Sequence, residues 1–88
     1  MIISLWNRDL ELTDEQVERL QTWILDYLAK RTNERESLTH LVGEVRCYTR
    51  LKFPTRTTDA ETMFEALGFT LVREKNASGC TLRTYVTV

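Results

Sequence analysis

Between Thr57 and Val88 the chain is punctuated so closely that few folds can accommodate it. A helix-start pattern, a glycine stop and four consecutive turn formers all fall within these thirty-two residues. In Thr58-Asp59-Ala60-Glu61 a hydroxyl precedes a carboxylate by three positions, the arrangement that satisfies the free N–H groups of a helix's first turn. Gly68 stands where a left-handed C-terminal cap belongs. The spacing predicts a helix over Asp59 to Leu67 that buries Met63, Phe64 and Leu67 and exposes Glu61 and Glu65. Strands are then predicted from Phe69 to Lys75 and from Cys80 to Val88, joined as a hairpin through Asn76-Ala77-Ser78-Gly79. In the last strand Leu82, Thr84, Val86 and Val88 alternate with Thr81, Arg83, Tyr85 and Thr87, which predicts one core face and one polar face.

The same helix-start chemistry recurs at Thr13-Asp14-Glu15-Gln16 and, in a looser Asn-led form, at Asn33-Glu34-Arg35-Glu36. After the first, Val17, Leu20, Ile24, Tyr27 and Leu28 recur at spacings of three and four and form an apolar stripe, widened by Trp23, on a helix of about four or five turns. Its outer face carries Glu15, Glu18, Arg19, Asp26 and Lys30, acids early and bases late, as the helix dipole favours. A second helix is predicted from Glu34 to about Arg50, with Leu38, Leu41, Val42, Val45 and Thr49 inward. It must end before Phe53, because a residue preceding proline avoids the helical region. Ile2 to Trp6 offers a short N-terminal strand. The expected fold is α+β: three helices followed by a C-terminal β-hairpin, in one domain spanning residues 1–88. A chain of 88 residues, 42% hydrophobic, builds only a modest core, which leaves open a homodimer and a pairing of the N-terminal strand with a second copy.

Enzymatic chemistry is not written in this sequence. His40 is the single histidine; it falls mid-helix without a Ser, Cys or acidic partner at triad or metal-site spacing. The three glycines, Gly43, Gly68 and Gly79, form no phosphate-cradling loop. Carboxylates are dispersed on helix faces, and those in first turns serve the helix dipole. No catalytic residue, metal or cofactor is expected. Cys47 and Cys80 match no metal or redox pattern and are expected to be reduced core residues. The apolar run Met1 to Trp6 is too short for a signal-peptide core or a membrane span, so a cytoplasmic protein is expected. Trp6, Trp23, Phe53 and Phe64 are expected in or at the edge of the core, and Tyr48 partly buried.

Charge is where function shows. Residues 1–45 hold five Lys or Arg against nine Asp or Glu, and residues 46–88 hold seven against four, so the halves carry formal charges of −4 and +3. A basic half is the electrostatic footprint of a polyanionic partner. Arg46, Arg50, Lys52 and Arg56 run from the second helix into the turn before the third, where Thr55, Thr57 and Thr58 add donors at a helix N-terminus. Arg73, Lys75 and Arg83 flank the hairpin tip, and Asn76 lies at it, a grouping suited to a phosphate backbone or minor groove. The leading expectation is a small DNA-binding protein that uses these residues. The alternative is a protein-binding inhibitor or adaptor that docks through Asp14, Glu15, Glu18 and Asp26 on the acidic first helix.

The order helix, helix, turn, short helix, hairpin resembles the winged-helix family of helix-turn-helix proteins. Leu67-Gly68-Phe69, then Arg73, the turn through Gly79, Arg83 and Tyr85 are similar to the C-terminal winged-helix segment of phage and plasmid primase–helicase proteins, over about half of the chain. The resemblance implies that Thr58 to Leu67 is a recognition helix and Lys75 to Gly79 a wing tip. It also implies a regulator or replication accessory of a phage or other mobile element. The implied recognition helix carries Asp59, Glu61 and Glu65 and no Lys or Arg, which points to weak DNA binding or to a winged helix that binds protein.

Overall fold

The computed structural model describes residues 1–30, 35–50 and 53–88, apart from the side chains of Arg35 and Leu82. Among them the order is β1 (Ile2–Ser4), β2 (Asp9–Glu11), α1 (Asp14–Ala29), β3 (Arg35–Ser37), α2 (Leu38–Thr49), α3 (Thr57–Ala66), β4 (Thr70–Lys75) and β5 (Thr81–Thr87). The fold is mixed α+β, with three helices and two small antiparallel sheets.

Helix α1 begins as its sequence predicts. The Thr13 hydroxyl accepts from the Gln16 N–H at 3.2 Å, and the Gln16 side chain accepts from the Thr13 N–H at 2.9 Å. Leu20, Ile24 and Leu28 are buried, with Val17, Trp23 and Tyr27 packed at the core edge. Two polar side chains of α1 reach the far ends of the other helices. Arg19 Nη2 donates to the Thr49 carbonyl at the end of α2, and Gln21 Nε2 donates to the Leu67 carbonyl at the end of α3, both at 2.9 Å. Each satisfies one of the carbonyls that a helix C-terminus leaves unpaired.

The second predicted helix starts later than its sequence suggests. Arg35–Ser37 form β3 and pair with Tyr85–Thr87 of β5, and α2 opens only at Leu38; Asn33 and Glu34 lie outside the described residues. A neighbouring strand edge outweighs a weak local helix signal, because three residues of helix propensity amount to only a few tenths of a kcal/mol. From Leu38 onward the prediction holds, with Leu38, Leu41, Val42, Val45 and Thr49 all buried. Helix α3 also departs at its start: Arg56 is the N-cap, Thr58 falls within the first turn, and no side chain caps it. Asp59 is instead engaged by the N-terminal hairpin, where its Oδ1 accepts from the Trp6 backbone N–H at 3.0 Å.

The three-stranded sheet has the order β3-β5-β4. Leu71 pairs with Val86 and Arg73 with Thr84; Thr84 and Val86 are buried against the helices. Val88 does not share their core face, since it lies past the strand and is 73% exposed. Because β3 ends at Ser37, opposite Tyr85, the β4–β5 hairpin extends beyond it with Thr81 and Arg83 at its free side. The N-terminal strand pairs within the chain, but with β2, in a separate hairpin that buries Ile3 and Leu12. Phe53 packs on Phe64 with ring centroids 4.9 Å apart.

Helix α3 ends in a glycine cap as predicted. The Phe69 N–H donates to the Phe64 carbonyl and the Gly68 N–H to the Glu65 carbonyl, both at 3.0 Å, with Gly68 at φ +95°. A Cβ at Gly68 would meet nothing within 4 Å, so a Gly68→Ala change adds only backbone strain. It is expected to lower stability by about 1–2 kcal/mol, read from urea denaturation.

Candidate nucleic-acid interface

Three helix starts have different chemistry in this molecule. Helix α1 has a capping box, whereas Ser37 before α2 and Arg56 before α3 make no side-chain cap hydrogen bond. The first turn of α2 carries no acidic side chain and keeps the partial positive charge and donor capacity that favour an anionic oxygen, whereas Asp59 in the first turn of α3 offsets part of that charge there. Both helix starts open onto the same side of the molecule as the free side of β5.

Between them lies a polar cleft of about 620 Å³, bordered by Ser37, Thr39, Thr57, Arg73, Thr81 and Arg83. A second hollow of about 210 Å³ continues from it past Arg46 and Thr55, and Thr39 and Thr57 border both. A third of about 390 Å³ shares Thr55 and ends at Trp6, Arg8 and Arg56. Through these shared residues the three hollows adjoin as a trough, bordered by threonine hydroxyls and arginines together with the carboxylates Glu61 and Asp59 and, in its middle part, the apolar Leu38, Val42 and Ala60.

The arginines differ in freedom. Arg73 is paired with Glu61 across the cleft. The hydrogen bond to that carboxylate, and then its charge, raise the Arg73 pKa above its ordinary value. Among the described residues Arg46 and Arg83 stand in no ion pair and are exposed. Arg56 is stacked on the Trp6 ring, its guanidinium carbon 4.3 Å from the ring centroid.

Of the residues expected from the sequence to meet DNA, Arg46, Arg73 and Arg83 border the trough and Arg56 lies at its end. Thr58 is exposed one residue beyond Thr57. Arg50 forms the C-cap of α2 in a left-handed conformation, φ 58°, and borders none of the three hollows. Lys75 is exposed at the end of β4. Asn76 holds the hairpin turn itself, its Oδ1 accepting from the Ser78 and Cys80 N–H groups at 3.0 Å each. Lys52 lies outside the described residues.

The acidic set divides as well. Glu15, Glu18 and Asp26 border a shallow hollow of about 570 Å³ on α1 together with Trp23. Asp14 is exposed in the first turn. Trp23 stacks with Tyr27 at 5.1 Å and with Tyr48 at 6.0 Å, and Tyr48 is 67% exposed rather than partly buried. His40 lies 3.5 Å from Glu44, one turn along α2.

Two further expectations are corrected. Cys47 and Cys80 are free but exposed, because Cys47 falls on the outer face of α2 and Cys80 follows the hairpin tip. Trp6 is 70% exposed, because it lies in the turn between β1 and β2 and not on a core-facing strand position. Its neighbours Asn7, Arg8 and Asp9 are turn formers and charges, and that was the signal for a hairpin tip. Ser37, Thr39 and Thr81 border the cleft without a sequence signal, because a single hydroxyl residue carries no pattern.

Among the described residues no group of three or more His, Cys, Asp and Glu side chains is placed to hold a metal, and no helix is long and apolar enough to cross a membrane. No protein-family model, no curated protein and no solved structure matches the chain.

Proposed function

We propose that the protein binds nucleic acid along this trough, as a small winged-helix DNA-binding protein. The observation that carries the reading is the convergence of two helix N-termini without side-chain caps and of Arg46 and Arg83, which stand in no ion pair among the described residues, on one trough bordered by threonine hydroxyls. Backbone N–H groups, threonine hydroxyls and guanidinium groups are the donors that proteins aim at a phosphate backbone. Support for the winged-helix reading comes from the succession α1, β3, α2, α3, β4, β5, with β3 beside β5 and the β4–β5 hairpin projecting as a wing. Helix α3 offers Asp59, Glu61 and Glu65 but no Lys or Arg, so the contacts fall on phosphates and carry little base discrimination.

Fluorescence anisotropy of a labelled random duplex, titrated at low and moderate salt, tests this. Binding in the micromolar range at low salt is expected, with a log–log salt slope of about −3, equivalent to three or four neutralised phosphates. A folded protein that leaves the duplex free at about 100 μM is incompatible with the proposal. That outcome would turn attention to the second reading, a protein partner docked on α1. The observation favouring it is the Trp23, Tyr27 and Tyr48 stack beside Glu15, Glu18 and Asp26, an aromatic surface rimmed by acids that suits a basic partner.

A further inference from the structure

The trough ends at an exposed tryptophan. Trp6 lies in the turn between β1 and β2, which the Leu5 N–H closes on the Arg8 carbonyl at 2.8 Å. The Trp6 backbone N–H is fixed to Asp59 at the start of α3, and the Arg56 guanidinium lies over its ring. The ring is thus held at both its backbone and one face, while 70% of the residue remains exposed. Two arginines, Arg8 and Arg56, border the hollow at this ring.

We propose that Trp6 is a stacking platform for an unpaired nucleobase, and that the protein prefers single-stranded nucleic acid or a duplex carrying an unpaired base. The inference rests on the nucleic-acid reading of the trough and adds the class of substrate. Its chemistry follows from position. Arg8, Arg56 and Thr55 border the hollow at Trp6, and Thr55 also borders the hollow that leads to Arg46. A strand whose phosphates follow the arginines and threonines therefore delivers a base to the indole. Bases of a paired duplex are stacked on one another and do not present a free face, whereas an unpaired base does. Asp59 is the one carboxylate bordering that hollow against the two arginines, and its bond to the Trp6 N–H holds it in place. Arg56 occupies one face of the ring, and its attraction to the indole fixes the orientation of the platform.

The test separates bases from phosphates. Anisotropy is measured at one low salt concentration for a labelled twelve-residue oligothymidylate, an abasic phosphodiester of equal length and a random duplex, with wild type, Trp6→Ala and Trp6→Phe. Wild type is expected to bind the oligothymidylate at least about fivefold more tightly than the abasic strand. Trp6→Ala should abolish that preference, so that this variant binds the oligothymidylate and the abasic strand equally, and Trp6→Phe should retain part of it. In a Trp23→Phe background, where Trp6 is the one remaining tryptophan, indole fluorescence should be quenched on saturation with oligothymidylate and not with the abasic strand. Equal affinity for the two strands, or a preference that survives Trp6→Ala, would overturn the stacking role while leaving the trough as a phosphate site. Absence of binding to all three probes would remove both proposals together.

Discussion

An Arg46→Glu/Arg83→Glu protein is expected to lose about a hundredfold in duplex affinity at low salt, and its salt slope should flatten by about two. The two residues lie on different elements, α2 and β5, and border adjoining parts of the trough. Neither stands in an ion pair among the described residues, so reversal breaks no ion pair described there. Each change removes one proposed phosphate contact and places a carboxylate where the strand would pass. Anisotropy over a salt series measures both quantities, and thermal melting checks that the fold is intact. Arg50→Glu serves as the comparison. It alters the net charge by the same amount per residue but sits outside the trough, and a loss of only a few-fold is expected from long-range repulsion. An equal loss in the Arg50 variant would mean that total charge, and not the trough, governs binding.

The largest effect on stability should come from Phe64→Ala. Phe64 is completely buried and its ring packs on Phe53 at the heart of the core shared by α2, α3 and the sheet. Truncation to alanine removes the transfer free energy of the ring and leaves a cavity, for a loss of about 3–5 kcal/mol. A domain of this length has about 4–13 kcal/mol of stability in all. The variant is therefore expected to unfold at much lower urea, with the slope of the transition unchanged if the native state keeps its compactness. Val72→Ala, at a position 39% exposed on β4, should shift the midpoint only slightly. A small effect at Phe64 would show that the surrounding side chains collapse into the space.

Long elements with strong periods were legible in the sequence, and short ones were not. Helix α1 carries five apolar positions at helical spacing and a capping box, and both are observed. The β4–β5 hairpin is likewise marked by its turn and its β-branched residues. Strand β3 has only Arg35, Glu36 and Ser37, with no apolar residue to alternate, and it exists because β5 offers an edge. Strand β2 is equally short, Asp9-Leu10-Glu11. Without β2 in view, Ile2 to Trp6 reads as one strand and Trp6 as a core residue. The basic residues of the candidate site were visible as a charge bias, but their grouping was not. Thr39, Thr57 and Thr81 are separated by eighteen and twenty-four positions in the chain, and only the folding of α2, α3 and β5 against one another makes them neighbours.

The two hydrogen bonds from α1 to the ends of α2 and α3 bear on how this scaffold tolerates change. Arg19 and Gln21 hold the C-termini of the same two helices whose N-termini open onto the trough. The outward positions Glu15, Glu18 and Asp26 touch neither helix end through a hydrogen bond, so their chemistry is uncoupled from the trough's geometry. The outer surface of α1 is thus free to be redesigned or to drift, while Arg19 and Gln21 are the positions where drift would misalign both walls at once.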